Sequence, residues 1–135
     1  MNNKILITGG AGFIGHHVLD FLLRKTDYEF IILDRLDTSG NLNRVHEVLE
    51  NNTNSNSRVK ILWHDLRAPL NDYLIKQIGD VDFVFHLAAG SHVDRSIENP
   101  LEFVYDNVVG TANLLEYART NLKETLKMFL YFSTD

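Results

Sequence analysis

The chain has 135 residues, of which 44% are hydrophobic and 23% are charged, and its formal net charge is −5. These values are typical of one globular domain with a sizeable core, and the negative charge argues against a nucleic-acid-binding protein. The absence of cysteine excludes disulfides and thiol chemistry, and no apolar run approaches the ~18 residues of a membrane-spanning helix, so we expect a cytoplasmic protein.

A short apolar strand at the start of the chain runs into a glycine-rich turn, and the turn opens onto an amphipathic helix. Gly10, Gly12 and Gly15 fit G-x-G-x-x-G, and Gly9 in place of Gly10 fits G-x-x-G-x-x-G. Gly9 or Gly10 would allow the sharp turn, Gly12 would let a pyrophosphate approach, and Gly15 would let the helix pack on the strand. The free N–H groups at the helix start would bind phosphate, so the pattern predicts a dinucleotide site.

The second predicted strand ends in an acid, Asp34. Its distance from Gly15 is close to the ~20-residue offset at which an acid binds the adenosine ribose of NAD. A carboxylate there would repel a 2′-phosphate and so favours NAD over NADP, whereas Arg35 and Arg44 are nearby cations that leave NADP open. Alternatively, Asp34 could simply cap the strand end.

Strands and helices alternate along the whole chain, which predicts an α/β fold: a Rossmann-like, doubly wound parallel sheet of five strands. We expect strands at 4–8, 29–34, 58–63, 81–86 and 127–132, and helices at 13–25, 41–50, 70–78 and 100–120. A strand that begins at residue 4 leaves no room for a signal peptide. The polar run at 51–57 is expected to be a mobile surface loop, and Trp63 and the phenylalanines are expected in the core.

Chemistry-bearing residues follow the third, fourth and fifth strands, at the sheet edge where ligands bind in open parallel sheets. These are His64-Asp65-Leu66, the run from His86 to Ile97, and Ser133-Thr134-Asp135. Small residues at 88–90 would admit a nicotinamide ribose close to the backbone. The six histidines lack the spacing of metal ligands, so we expect no metal site, and we expect His86 and His92 to make structural hydrogen bonds near the cofactor.

Together these motifs resemble the extended short-chain dehydrogenase/reductase superfamily. The resemblance rests on the glycine turn, Asp34, Asp65-Leu66, His86-Leu87-Ala88-Ala89, Asn107-Val108-Val109-Gly110-Thr111 and Ser133-Thr134-Asp135. Within the superfamily, the run Ala88-Ala89-Gly90-Ser91-His92-Val93-Asp94-Arg95-Ser96-Ile97 is most similar to nucleotide-sugar 4,6-dehydratases, above all those that act on dTDP-glucose.

The resemblance implies NAD as the cofactor and a set of residues that contact it. At the pyrophosphate these are Gly9, Gly12, Phe13, Ile14 and Gly15. At the adenosine they are Asp34, Arg35, Asp65 and Leu66, and on the nicotinamide side they are Leu87, Ala88, Ala89 and Ser91. Asp106 would also lie near the cofactor.

The implied activity is that of a lyase that converts dTDP-glucose or UDP-glucose to a 4-keto-6-deoxy sugar. In this family a Tyr-Lys pair takes the C4 proton while hydride passes to NAD⁺, an Asp-Glu pair removes water across C5 and C6, and the hydride returns to C6. The resemblance implies that Thr134 hydrogen-bonds the oxygen at C4 and that Asp135 protonates the leaving C6 hydroxyl.

The chain also departs from the family pattern. Gly90 stands where the dehydratases usually have a glutamate, and Asp106 where they usually have a threonine. A glutamate after Asp135, a Tyr-x-x-x-Lys segment and the nucleotide-sugar domain are missing from the sequence. We therefore expect residues 1–135 to be the NAD-binding domain of a longer enzyme, inactive by itself.

Two alternatives stay open. One is the cofactor-binding portion of a related epimerase or decarboxylase, and the other is a complete, non-catalytic NAD-binding module. The expected partners are a nucleotide sugar and a second copy of the chain, through helices like the one at 100–120, with no nucleic acid and no membrane.

Overall fold

Within residues 2–133, which the computed structural model describes, five strands form one parallel sheet in the order β3-β2-β1-β4-β5. The strands are β1 (Lys4–Thr8), β2 (Glu29–Asp34), β3 (Val59–Trp63), β4 (Phe83–His86) and β5 (Met128–Tyr131). The strand order reverses at β1, which pairs with β2 on one side and β4 on the other. The predicted Rossmann-like α/β fold is confirmed.

Helices cover both faces of this sheet. They are α1 (Phe13–Lys25), α2 (Leu42–Asn51), α3 (Asp72–Ile78), α4 (Val93–Glu98), α5 (Pro100–Val104) and α6 (Gly110–Asn121). A π-helical turn, Tyr105–Val109, joins α5 to α6, so the predicted long helix is interrupted. Helix α4 was not predicted, because six residues are too few to show a helical period.

The core lies in two layers, one on each face of the sheet. Successive side chains of a strand point to opposite faces, so Phe30 and Ile32 of β2 pack with α1 and α2, whereas Ile31 and Leu33 pack with α3 and α6. The apolar strands β1 and β2 are therefore buried from both sides, as the interior of a parallel sheet requires, whereas the edge strand β5 is mostly exposed.

The polar run that was predicted to be a mobile loop contains a 3₁₀ helix, Thr53–Arg58. Its last residue holds it in place. The Arg58 guanidinium donates to the backbone oxygens of Leu23, Thr26 and Tyr28 at 2.8, 3.0 and 2.8 Å. The loop prediction was wrong because this ordering comes from carbonyls about thirty residues away, at the end of α1, and not from local composition.

The prediction that Trp63 and the phenylalanines form the core was right for Phe30 and wrong for several others. Trp63 is 64% exposed, and Phe13 and Phe21 are also exposed. Trp63 ends the edge strand β3, where its indole N–H donates to Arg35 O at 2.8 Å. In the described part of the chain we find no helix long and apolar enough to cross a membrane.

Candidate functional site

A cleft of about 500 Å³ lies at the carboxyl ends of the strands, beside the point where the strand order reverses. The predicted cofactor residues that line it are Gly9, Gly12, Asp34, Arg35, Asp65, Leu66, Leu87, Ala88, Ala89 and Asp106. Four others do not line it: Phe13 and Ile14 are exposed at the start of α1, Gly15 is buried beneath the turn, and Ser91 is exposed beyond β4. The fold thus brings together residues from four separate strand ends.

The glycine turn has the geometry of a close-packed corner. Gly9 takes the sharp bend, with φ of +69°, and its N–H donates to Leu33 O at 3.0 Å. A Cβ on Gly9 would lie 2.8 Å from Ala88 N, and one on Gly15 would overlap Gly9 O, so both positions exclude a side chain. A Cβ on Gly12 would meet only Gly9 O, at 3.1 Å, which leaves this residue open to a ligand.

The start of α1 offers backbone donors to the cleft. Gly12 precedes the helix in an extended conformation, no side chain of the described residues caps it, and the first turn carries no acid. The N–H groups of the first helical residues therefore lack an intrahelical acceptor, and the helix dipole places partial positive charge there. These features fit the pyrophosphate of a dinucleotide.

Asp34 joins the end of β2 to the glycine turn. Its side chain is 8% exposed, Oδ2 accepts from Ala11 N at 3.0 Å, and Oδ1 accepts from Leu36 N at 2.8 Å. Each carboxylate oxygen has a second lone pair, so hydroxyl groups of a ribose could still donate to it. The geometry fits the predicted ribose contact and also shows the capping of the strand end that was the alternative prediction; the bond from Ala11 N was not foreseen.

Five of the charged residues that line the cleft contact one another, and we call them the charged cluster: Arg35, Asp37, Asp65, Arg67 and Asp106. Arg35 Nη1 and Nη2 pair with the two oxygens of Asp106 at 2.5 and 2.9 Å. Arg35 Nε donates to Asp37 Oδ2 at 2.5 Å, and Arg67 Nη2 to Asp65 Oδ2 at 2.5 Å. Sequence reasoning named three of these residues and missed Asp37 and Arg67.

These contacts change the acidity of the cluster. The hydrogen bond with Asp106 raises the pKa of Arg35 above its ordinary value. Partial burial would raise the pKa of Asp65, but hydrogen bonds from Arg67 outweigh it and hold that pKa below its ordinary value. The pKa of Asp37 is lowered in the same way, with burial outweighed by hydrogen bonds from Ser39 N and Arg35. Arg35, Asp37 and Asp65 are therefore charged at neutral pH.

His86, the last residue of β4, is the centre of a buried hydrogen-bond network. It is fully buried, its Nδ1 lies 2.6 Å from Thr8 Oγ1, and its Nε2 lies 2.8 Å from Thr111 Oγ1. Burial lowers the pKa of His86 to about 4, so the ring is neutral at pH 7. Thr8 Oγ1 also accepts from Ala88 N at 3.3 Å, and the network thereby fixes the chain where it leaves β4. The predicted structural hydrogen bonding of His86 is confirmed, and its two threonine partners were missed.

Asn107, within the π-helical turn, holds the next part of this segment. Its side chain accepts from Gly90 N at 2.7 Å and donates to Gly90 O at 3.0 Å. A Cβ on Gly90 would lie 2.9 Å from the ring of Phe103. The π-helical turn therefore fits against Gly90 through Asn107 and carries Asp106 to the cleft, in keeping with the frequent occurrence of π-bulges at functional sites.

The two predicted catalytic residues, Thr134 and Asp135, lie outside the described residues. Among residues 2–133, no three His, Asp or Glu side chains group closely enough to hold a metal ion.

Comparisons with known proteins identify a family and several relatives. Residues 6–135 match the profile of a family described as GDP-mannose 4,6 dehydratase. The dTDP-D-glucose 4,6-dehydratase of Dictyostelium discoideum is 41% identical over 133 residues, which are 98% of this chain and 29% of that protein.

Solved structures of longer proteins share the fold. The dTDP-glucose 4,6-dehydratase of Streptomyces venezuelae, solved with NAD bound, has a TM-score of 0.77 and 33% identity, over 93% of this chain and 38% of its own. A UDP-galactose 4-epimerase has a TM-score of 0.74 and 31% identity, over 98% of this chain and 38% of its own. The chain thus spans 29% to 38% of the length of these proteins.

Proposed function

Because the chain belongs to the GDP-mannose 4,6-dehydratase family, we propose that residues 1–135 are the NAD-binding portion of a nucleotide-sugar 4,6-dehydratase. The observation that carries the proposal is the cleft, in which the uncapped start of α1, the buried carboxylate of Asp34 and the fixed exit of β4 meet. A dinucleotide has groups that match each part: a pyrophosphate, a ribose and a second nucleoside.

The positions of these residues support the following contacts with the dinucleotide. Gly12 and the N–H groups of Phe13 and Ile14 bind the pyrophosphate, and Asp34 accepts from the adenosine ribose. The backbone and side chains of Asp65 and Leu66 flank the adenine. Leu87, Ala88 and Ala89 line the nicotinamide side with Ser91 just beyond them, and NAD⁺, when bound there, serves as the hydride acceptor.

The substrate we propose is a dTDP- or UDP-linked glucose, and the product is a 4-keto-6-deoxy sugar. Thr134 would hydrogen-bond the oxygen at C4, and Asp135 would protonate the leaving hydroxyl at C6. Since the 135 residues contain no Tyr-x-x-x-Lys segment, the base that takes the proton of the C4 hydroxyl is not in this sequence. The piece alone should bind NAD⁺ without turning over the sugar.

Calorimetric titration of the chain with NAD⁺ tests this proposal. We expect the unmodified chain to bind NAD⁺ and Asp34→Ala to bind at least tenfold more weakly, because the ribose loses a charge-assisted hydrogen bond. Glu116→Gln is the matched control, since it also removes one negative charge but lies in an exposed ion pair with Arg119 on α6. A folded chain that binds no NAD⁺ would contradict the proposal.

A second assay addresses the chemistry. Incubation of the chain with NAD⁺ and dTDP-glucose should yield no 4-keto-6-deoxy product, and a product would contradict the proposed need for an absent base. The likeness to UDP-galactose 4-epimerase supports a second candidate, the cofactor-binding portion of a nucleotide-sugar epimerase. The two candidates differ in the product of the full-length protein, which is a 4-keto-6-deoxy sugar for a dehydratase and a C4 epimer for an epimerase.

We also propose a cytoplasmic homodimer. The absence of cysteine supports the location. Exposed apolar side chains along α4, α5 and the π-helical turn support a second copy as partner, namely Val93, Ile97, Leu101 and Val108. Sedimentation equilibrium should give twice the chain mass, and a monomer at high micromolar concentration would contradict this assignment.

A further inference from the structure

Arg35 occupies the position from which a cation decides between the two nicotinamide dinucleotides. It directly follows Asp34 at the end of β2, and NADP differs from NAD by a phosphate on the ribose hydroxyl that such an acid binds. An uncommitted guanidinium at this place would offer that phosphate a charge and a forked set of donors. The state of Arg35 therefore matters for cofactor choice.

In this structure every nitrogen of the Arg35 guanidinium is engaged by a carboxylate. Asp106 takes Nη1 and Nη2 in a forked pair at 2.5 and 2.9 Å, and Asp37 takes Nε at 2.5 Å. The Asp106 side chain is only 11% exposed, so its pair with Arg35 is shielded from water better than an ordinary surface ion pair.

Asp106 reaches Arg35 from the opposite side of the cleft. It lies in the π-helical turn Tyr105–Val109, whereas Arg35 and Asp37 belong to the chain that leaves β2. The π-helical turn is itself held by the two hydrogen bonds between Asn107 and Gly90. Asp106 is thus presented by a fixed piece of backbone.

The surrounding charge acts in the same direction. The charged cluster has three carboxylates and two guanidinium groups, and Asp34 adds a further carboxylate beside it. The other cation considered from the sequence, Arg44, donates to the backbone oxygens of Ala11 and Ser39 and does not line the cleft. Both cations of the charged cluster are paired with carboxylates, Arg35 with Asp106 and Arg67 with Asp65, so a dianionic 2′-phosphate would enter a region of excess negative charge.

We infer that Asp106 is a specificity-determining residue: by holding Arg35 in a forked ion pair, it denies the 2′-phosphate of NADP its counterion and selects NAD. This inference rests on the proposed function, because it assumes that the cleft binds a nicotinamide dinucleotide. Asp106 acts through Arg35, so its effect should vanish when Arg35 is removed.

The test is calorimetric titration of the 135-residue chain and its variants with NAD⁺ and with NADP⁺. Asp106→Asn should raise the affinity for NADP⁺ about tenfold relative to NAD⁺, because the neutral amide releases the outer nitrogens of Arg35. The variant should still bind NAD⁺ more tightly than NADP⁺, although by a smaller factor, since Asp34 stays in place. Asp37→Asn, which releases only Nε, should give a smaller gain.

Two controls separate this mechanism from a general change of charge. The Arg35→Gln/Asp106→Asn double variant should show no gain in NADP⁺ affinity. Glu116→Gln, which removes one negative charge outside the cleft, should leave the ratio of the two affinities unchanged. If circular dichroism shows that Asp106→Asn does not fold, Asp106→Ala replaces it and should show the same gain in NADP⁺ affinity relative to NAD⁺.

The outcomes distinguish the inference from the proposed function. If the folded, unmodified chain binds neither dinucleotide, the proposed function fails and the inference fails with it. If it binds NAD⁺ but neither Asp106 variant changes the ratio, the inference alone is overturned. A gain that persists in the double variant also overturns it, because the gain would not pass through Arg35.

Discussion

Gly90 and Asp106, which both line the cleft, are direct neighbours: a Cβ on Gly90 would lie 3.4 Å from Asp106 Oδ2. These are the two described positions at which the chain departs from the pattern of the dehydratases it resembles, and they belong to different elements of the fold. A carboxylate is absent from one and present at the other. The structure therefore joins two separate departures into one local change.

This neighbourhood predicts that Gly90→Glu destabilises the chain. The new side chain would meet the Phe103 ring and place a second carboxylate beside Asp106, at a cost of about 1–3 kcal/mol. The stability loss of the Gly90→Glu/Asp106→Thr double variant should be at least about 1 kcal/mol smaller than the sum of the two single losses, because the carboxylate repulsion is removed while the loss of the Arg35–Asp106 pair is counted once. Urea denaturation of the four chains measures the coupling, and strictly additive effects would contradict it.

Substitutions at two glycines of the glycine-rich motif should have different effects: one should impair folding and the other NAD⁺ binding. Gly15→Ala should unfold or strongly destabilise the chain, because its Cβ would overlap the backbone oxygen of Gly9. Gly12→Ala should cost less than about 1 kcal/mol, since its Cβ meets one atom at 3.1 Å, but it should weaken NAD⁺ binding at least tenfold by crowding the pyrophosphate. Thermal denaturation and calorimetry measure the two effects, and equal losses of stability would refute the distinction.

The buried imidazole of His86 should make stability depend on pH. Burial lowers its pKa from 6.5 to about 4, so between these values the unfolded chain binds more protons than the folded chain. The contribution of His86 to the free energy of unfolding should therefore be complete above pH 6.5. The free energy of unfolding should then decrease by up to about 3 kcal/mol as the pH drops toward 4. Asp37 and Asp65 have pKa values below the ordinary 3.8, and their contribution is lost only at lower pH.

Urea denaturation at several pH values between 7 and 4.5 measures this dependence. His86→Gln should be less stable at pH 7, because the contacts with Thr8 and Thr111 are weakened, and its stability should change much less over the same range. An unchanged pH dependence in that variant would assign the effect to other groups.

Much of the fold and part of the site could be predicted because the signals are local. Apolar strands, helical spacing and a glycine turn each report on neighbouring residues, so the five strands, α1 and the position of the dinucleotide cleft followed from the sequence. Predictions were wrong where the structure depends on residues that are distant in the sequence. Trp63 was placed in the core because its type is usually buried, although it ends an edge strand, and the order in residues 53–58 depends on carbonyls contributed by α1.

By itself, the amino-acid sequence determined the α/β class, the glycine-rich turn and the resemblance to nucleotide-sugar dehydratases, because residue type and spacing along one chain segment suffice for these. Only the tertiary structure decided the state of Arg35. The sequence left it as an uncommitted cation that kept NADP open, and folding places it against Asp37 and Asp106. The physical reason is that an ion pair between residues 71 positions apart depends on where the sheet and the π-helical turn bring the two backbones, and no local pattern records that distance.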